Sequence, residues 1–126
     1  MLGQNGNVFN FAVWNNNQLI GTVEANKDYQ AIEGLEDGDV NISYALYPEA
    51  RGRGYITRAV NLLLEFLLRK GLKRAVIRVS PDNKTSLGIP RRCGFKQIKT
   101  IDSKDGAQLL VFVKELGGST YNPEKK

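Results

Sequence analysis

The 126-residue chain contains no histidine and one cysteine, Cys93. Without histidine there is no imidazole base and no histidine-activated triad, and one cysteine leaves too few soft ligands for a zinc site. No metal is expected. A single thiol cannot close an internal disulfide, so a reducing, cytoplasmic setting is expected. No apolar run approaches the roughly 20 residues that a membrane-spanning helix requires. No basic-apolar-small segment of the secretory type opens the chain. Cys93 itself reads as a small buried apolar side chain, since no imidazole is present to activate it.

What is present is ordinary for a globular chain, with 41% hydrophobic and 25% charged residues, and the length suits one domain. The charge is not evenly spread. Residues 1–50 hold one basic and seven acidic residues, whereas residues 51–126 hold 17 basic and six acidic ones. A basic second part suits an anionic partner, either nucleic acid or a phosphorylated cofactor, or serves only to keep the chain in solution.

The pattern predicts strands over 8–14 and 18–25 joined by the Asn15-Asn16-Asn17 turn, then a polar connection over 26–39. A strand over 40–47 leads into the loop 48–54. Residues 55–70 form the clearest helix. Arg58, Asn61, Glu65 and Arg69 make one polar stripe on it, and the apolar remainder predicts burial on more than one side. Gly71 suits the left-handed position after that helix. A strand over 75–79 follows, then a short helix over 85–93. Pro90 predicts that this helix starts late or is irregular. Strands over 96–101 and 108–115 flank a tight turn, and 117–126 reads as a frayed tail beyond a single domain, 1–116. The order β-β-β-loop-α-β-α-β-β gives a mixed α/β layer architecture, an α+β fold with a mixed sheet.

Residues 48–55, Pro-Glu-Ala-Arg-Gly-Arg-Gly-Tyr, form a glycine- and arginine-rich loop at a strand-to-helix junction. The first helical amides have no partners within the helix, and the dipole adds positive charge there. Gly52 and Gly54 let a ligand approach the backbone, and Arg51 or Arg53 suits phosphate oxygens. This is a pyrophosphate cradle. Alone it is also compatible with a tight turn carrying solvated arginines.

Three elements in order carry a resemblance to a known family: 47–55, then Asn83-Lys84-Thr85-Ser86, then Gly94-Phe95. From Val40 onward the chain resembles the GNAT N-acetyltransferase family, and within it the ribosomal-protein (RimJ/RimL-like) branch. The resemblance implies acetyl-CoA as acyl donor and a primary amine as acceptor, a protein N-terminus or a small amine, joined by direct attack in a ternary complex. It implies that Ala45, Leu46 and Tyr47 hold the pantetheine arm. Arg51, Gly52, Arg53, Gly54, Tyr55 and Ile56 would hold the pyrophosphate, and Asn83, with Ser86 beside it, would contact the arm. The carboxamide of Asn83 supplies the donor and acceptor that pantetheine amides need.

The chain departs from the family at several positions. Ile56 stands where a small residue is usual, which would narrow the approach to the pyrophosphate. Asn41 stands where many members carry a glutamate. Residues 84–93 lack the usual tyrosine. The family's first strand and two helices have no counterpart, so the chain is expected to be a compact variant, a fragment, or a homodimer that completes its acceptor pocket.

The catalytic candidates are few. Glu24 and Asp39 are the possible bases, each alternatively a solvated strand-edge carboxylate. Ser86 is the possible acid, or alternatively the cap of the short helix. Tyr44 and Tyr47 read as packing or pocket-wall residues. A degenerate acyl-CoA-binding module and a basic nucleic-acid-binding domain are the alternative functions. The second is disfavoured because aromatic residues do not interleave with the basic ones.

Overall fold

A computed structural model describes residues 6–50 and 52–116; Arg51 and the tail 117–126 lie outside the described residues. Strands β1 (Val8–Asn15) and β2 (Gln18–Asn26) form a hairpin. Asn16 and Asn17 turn it with φ of 51° and 68°, a left-handed pair that asparagine tolerates better than most residues. The connection to β3 (Asp39–Leu46) contains one 3-10 turn, Tyr29–Ala31. A second 3-10 turn, Pro48–Ala50, opens the glycine-rich loop. Helix α1 (Tyr55–Arg69), β4 (Arg74–Val79), α2 (Lys84–Arg92), β5 (Lys96–Asp102) and β6 (Gln108–Glu115) complete the fold.

The six strands form one sheet in the order β1-β2-β3-β4-β6-β5. Only β3 and β4 pair in parallel; the other neighbours are antiparallel. Side chains alternate across the sheet. Val23 and Ala25 of β2, Val40 and Ile42 of β3, and Ala75, Ile77 and Val79 of β4 share one core cluster with both helices. The helices therefore lie on the same face.

Helix α1 buries Ile56, Val60, Leu63, Leu64 and Leu67, one stripe at helical spacing. Phe66 packs edge-on against Phe9 and Phe11, at centroid distances of 5.5 and 5.4 Å. The expected burial on further sides does not occur: Leu62 and Leu68 are 66% and 47% exposed. Gly71 ends the helix as expected, with φ 85°, while the Leu72 amide returns to the Leu67 carbonyl.

Helix α2 corrects the expectation drawn from Pro90. It starts at Lys84, and the proline sits near its end without delaying it. Proline lacks the N–H that the carbonyl four residues earlier would accept. That carbonyl belongs to Ser86, and it accepts the Tyr44 hydroxyl at 3.3 Å instead. The chain then leaves the helix at once, the Phe95 amide bonding the Pro90 carbonyl at 2.8 Å.

On the opposite face, the connection between β2 and β3 reaches β4 and the β5–β6 turn. Arg78 donates to the Glu33 carbonyl at 3.1 Å, and the Lys104 amide approaches the Glu33 carboxylate at 3.4 Å. Among the described residues, no helix packs on this face.

Candidate functional site

The site begins where two strands part. β3 and β4 pair at only three positions, Asp39 with Arg74, Val40 with Ala75 and Asn41 with Val76. Both then continue, β3 to Leu46 and β4 to Val79, without pairing to each other. The gap lies at the carboxyl ends of the strands, where open α/β sheets bind ligands. Both helices start beside it.

On the helix-bearing side the gap opens into a cleft of about 850 Å³. Its walls are Tyr44, Ala45 and Leu46 of β3, the loop with the first turn of α1, and α2 from Asn83 to Arg92. Gly52 and Gly54 have φ of 79° and 75°. A Cβ at either would meet nothing within 4 Å, so glycine is required by conformation while the space above it stays open to a ligand. Gly54 caps α1 without a side-chain bond, and the first helical bond runs from the Arg58 amide to the Gly54 carbonyl at 3.2 Å. The amides of Tyr55, Ile56 and Thr57 are thus left without an intrahelical acceptor. Asn15 donates to the Tyr55 hydroxyl at 3.0 Å, tying the loop to the β1–β2 turn.

The cleft carries cations beyond the loop arginines. Arg53 and Tyr47 are exposed and do not line it, and Arg51 lies outside the described residues. Arg58, Lys84 and Arg92 line it instead. A signal for two of them was present in the sequence. Neither helix has an acidic residue in its first turn, yet Lys84 opens α2 and Arg58 lies one turn into α1, where a cation opposes the dipole. An anionic ligand would offset that cost. Ile56 is 5% exposed and packs in the core, while also forming part of the cleft wall beside Tyr55 and Thr57.

Asn83 caps α2, its Oδ1 accepting the Ser86 amide at 3.1 Å. Ser86 is therefore not the cap. Asn83, Ser86 and Tyr44 line the cleft, and the same three line a second cavity of about 200 Å³. Asn41, Ser43, Arg78 and Ser80 supply its polar wall. Burial pushes the Tyr44 pKa up to about 12, with its contact to Ser86 opposing. Burial also raises the Cys93 pKa, while Lys114 and Arg92 oppose it. With its thiol directed to the Thr57 carbonyl at 3.7 Å, Cys93 is a core residue.

The two candidate bases separate. Asp39 is buried, faces Arg74 at 3.2 Å and accepts the Glu36 amide at 2.8 Å. It lines neither cavity and holds the start of the β3–β4 pairing. Glu24 is half-buried on β2, directly opposite Ser43 of the second cavity's wall. Among the described residues, no aspartate or glutamate lines either cavity.

The acetyltransferase (GNAT) domain model matches residues 2–96, and the chain belongs to that family. No curated protein matches the sequence. Among solved structures, the fold is similar to that of a microcin C7 self-immunity acetyltransferase in complex with acetyl-CoA and AMP. The TM-score is 0.73 at 23% identity, covering 86% of this chain and 61% of that one. It is also similar to the aminoglycoside acetyltransferase AAC(6')-Ib in complex with coenzyme A, at TM-score 0.75 and 22% identity, covering 86% and 66%. A Salmonella typhimurium acetyltransferase that modifies the N-terminal serine of a 50S ribosomal subunit protein gives 0.75 at 18% identity, covering 89% and 66%. The chain thus spans about three-fifths to two-thirds of the length of these proteins.

Proposed function

We propose that the protein is an acetyl-CoA-dependent N-acetyltransferase that acylates a primary amine by direct attack in a ternary complex. One observation carries this reading. The parted strands leave a large basic cleft on the helix-bearing side and, in the gap itself, a small polar cavity walled by residues of both sheet faces, and both are lined by Tyr44, Asn83 and Ser86. A thioester carried in the first can meet an amine held in the second.

The cleft suits the donor. The open amides of the first turn of α1 and the space over Gly52 and Gly54 suit a pyrophosphate. Arg58, Lys84 and Arg92 supply the positive charge that its phosphates need. The free side of the Asn83 carboxamide, with the backbone of 45–46, suits an arm bearing amides. Acetyl-CoA would supply the activated acyl group. An N–C bond forms as the C–S bond breaks, the amine releases a proton, and the departing sulfur takes one up.

Glu24 is the residue we assign to receive the amine's proton through water, since it stands across the ladder from Ser43. The Ser86 hydroxyl is assigned to the sulfur. Tyr44, protonated at neutral pH, fixes the α2 backbone at Ser86 by donating to its carbonyl.

The test is a thermal melt with acetyl-CoA followed by free-thiol release across a panel of amines. At 100-fold over its dissociation constant, acetyl-CoA should stabilise the fold by about 2.7 kcal/mol. Gly54→Glu should abolish that shift by setting a carboxylate in the phosphate space. No shift in the wild type would overturn the reading. A shift without thiol release on any amine would favour an acyl-CoA-binding module that has lost catalysis, in keeping with the lack of a lining carboxylate among the described residues.

A further inference from the structure

The second cavity has a chemical character that its position alone does not explain. Among the described residues lining it, Arg78 is the only charged one. On β4, Ala75, Ile77 and Val79 face the helices, so Arg78 projects to the other face. One of its five donors is used, Nη1 to the Glu33 carbonyl, while Nε is buried without a partner. Burial lowers its pKa, and the Glu33 carboxylate only partly opposes this. The guanidinium is therefore a partly buried cation whose charge the Glu33 carboxylate offsets only in part.

Asn41 stands on the same wall. It is 7% exposed, its amide nitrogen approaches the Ser43 hydroxyl at 3.4 Å, and its Oδ1 is buried without a partner. Unpaired buried donors and acceptors cost free energy and are uncommon without a reason. The wall thus combines a cation with spare donors, two serine hydroxyls and an amide oxygen lacking a donor. An amine could satisfy the amide oxygen, and an anionic group the guanidinium and the hydroxyls. A polycation would instead set further positive charge beside Arg78. At about 200 Å³ the cavity holds one small molecule or one chain end.

We propose that the acceptor carries a carboxylate beside its amine, as α-amino acids do, and that Arg78 selects it. This rests on the acetyltransferase reading and narrows its acceptor class.

The test compares matched pairs by free-thiol release: the common L-α-amino acids, their C-terminal amides and the corresponding decarboxylated amines, with spermidine as a polycation. A melt with acetyl-CoA runs beside it. Carboxylate-bearing acceptors should exceed their partners by roughly 10- to 100-fold in kcat/KM, the scale of one charge-assisted hydrogen bond. Arg78→Gln should erase that preference chiefly through KM while the acetyl-CoA shift persists, and Arg78→Lys should restore part of it. Equal or better use of the amides, amines or spermidine would overturn the proposal and leave the donor reading intact. Turnover of none of the amino acids, with acetyl-CoA still bound, would overturn it too. Absence of the acetyl-CoA shift in the wild type would instead bring down the reading on which it rests.

Discussion

At Asp39 the carboxylate faces Arg74 and accepts the Glu36 amide, with 4% of its side chain exposed. Asp39→Asn should therefore cost about 3 kcal/mol in urea unfolding, the low end for a broken buried pair because Arg74 keeps 24% of its side chain in solvent. The folded fraction should retain its rate of thiol release. Glu24→Gln should do the reverse, lowering kcat by roughly 100-fold with little change in stability, as expected for a lost proton acceptor. The raised pKa of Tyr44 means that its phenol stays protonated as pH rises past 10 and ionises only near 12. An absorbance titration of phenolate should thus contain a late component, and Tyr44→Phe should remove it. In the sequence, Asp39 and Glu24 were equivalent candidates. Arg74, 35 positions from Asp39, distinguishes them only through a parallel register that local pattern does not encode.

Among elements, α1 shows how far periodicity carries. Its limits and its buried stripe followed from 3.6-residue spacing, but the extent of burial did not, because that depends on what else packs against it. With one covered face, Leu64→Ala should cost about 2–5 kcal/mol and Leu62→Lys within about 0.5 kcal/mol, read from urea midpoints. Helix α2 shows the converse. Pro90 argued for a late or irregular start within 85–93, yet the Asn83 cap and the Tyr44 hydroxyl satisfy the groups that let the helix begin at Lys84. The glycine loop was legible because positive φ and an anion cradle both require glycine. Of its arginines, Arg53 is exposed and Arg51 lies outside the described residues, while charge reaches the cleft from Arg58, Lys84 and Arg92 on the helices.

For the whole molecule, the two sheet faces differ: one carries both helices, and the other, where Val76 and Val111 are buried, is covered in part by the 27–38 connection. The basic cleft lies with the helices, and the small cavity sits in the gap between β3 and β4, where Arg78 links it to Glu33 of the 27–38 connection. The family's fold was legible from three short motifs in order, whereas the second cavity was not. It arises from the separation of β3 and β4, and Arg78 within Arg74–Val79 looks like any solvent-facing position of an alternating strand.

That separation gives the sheet an edge in its interior. Past Asn41 and Val76, β3 and β4 continue to Leu46 and Val79 without pairing to each other. Sheet edges invite an additional strand, and a ligand arm with two amides is the chemical equivalent of a short one. Hydrogen–deuterium exchange should therefore be faster at those amides of residues 43–46 and 77–79 that point into the gap than at those bonded to β2 or β6 and at the paired start of the same strands. Acetyl-CoA should slow it there more than anywhere else in the sheet, so that the donor completes the architecture as it binds.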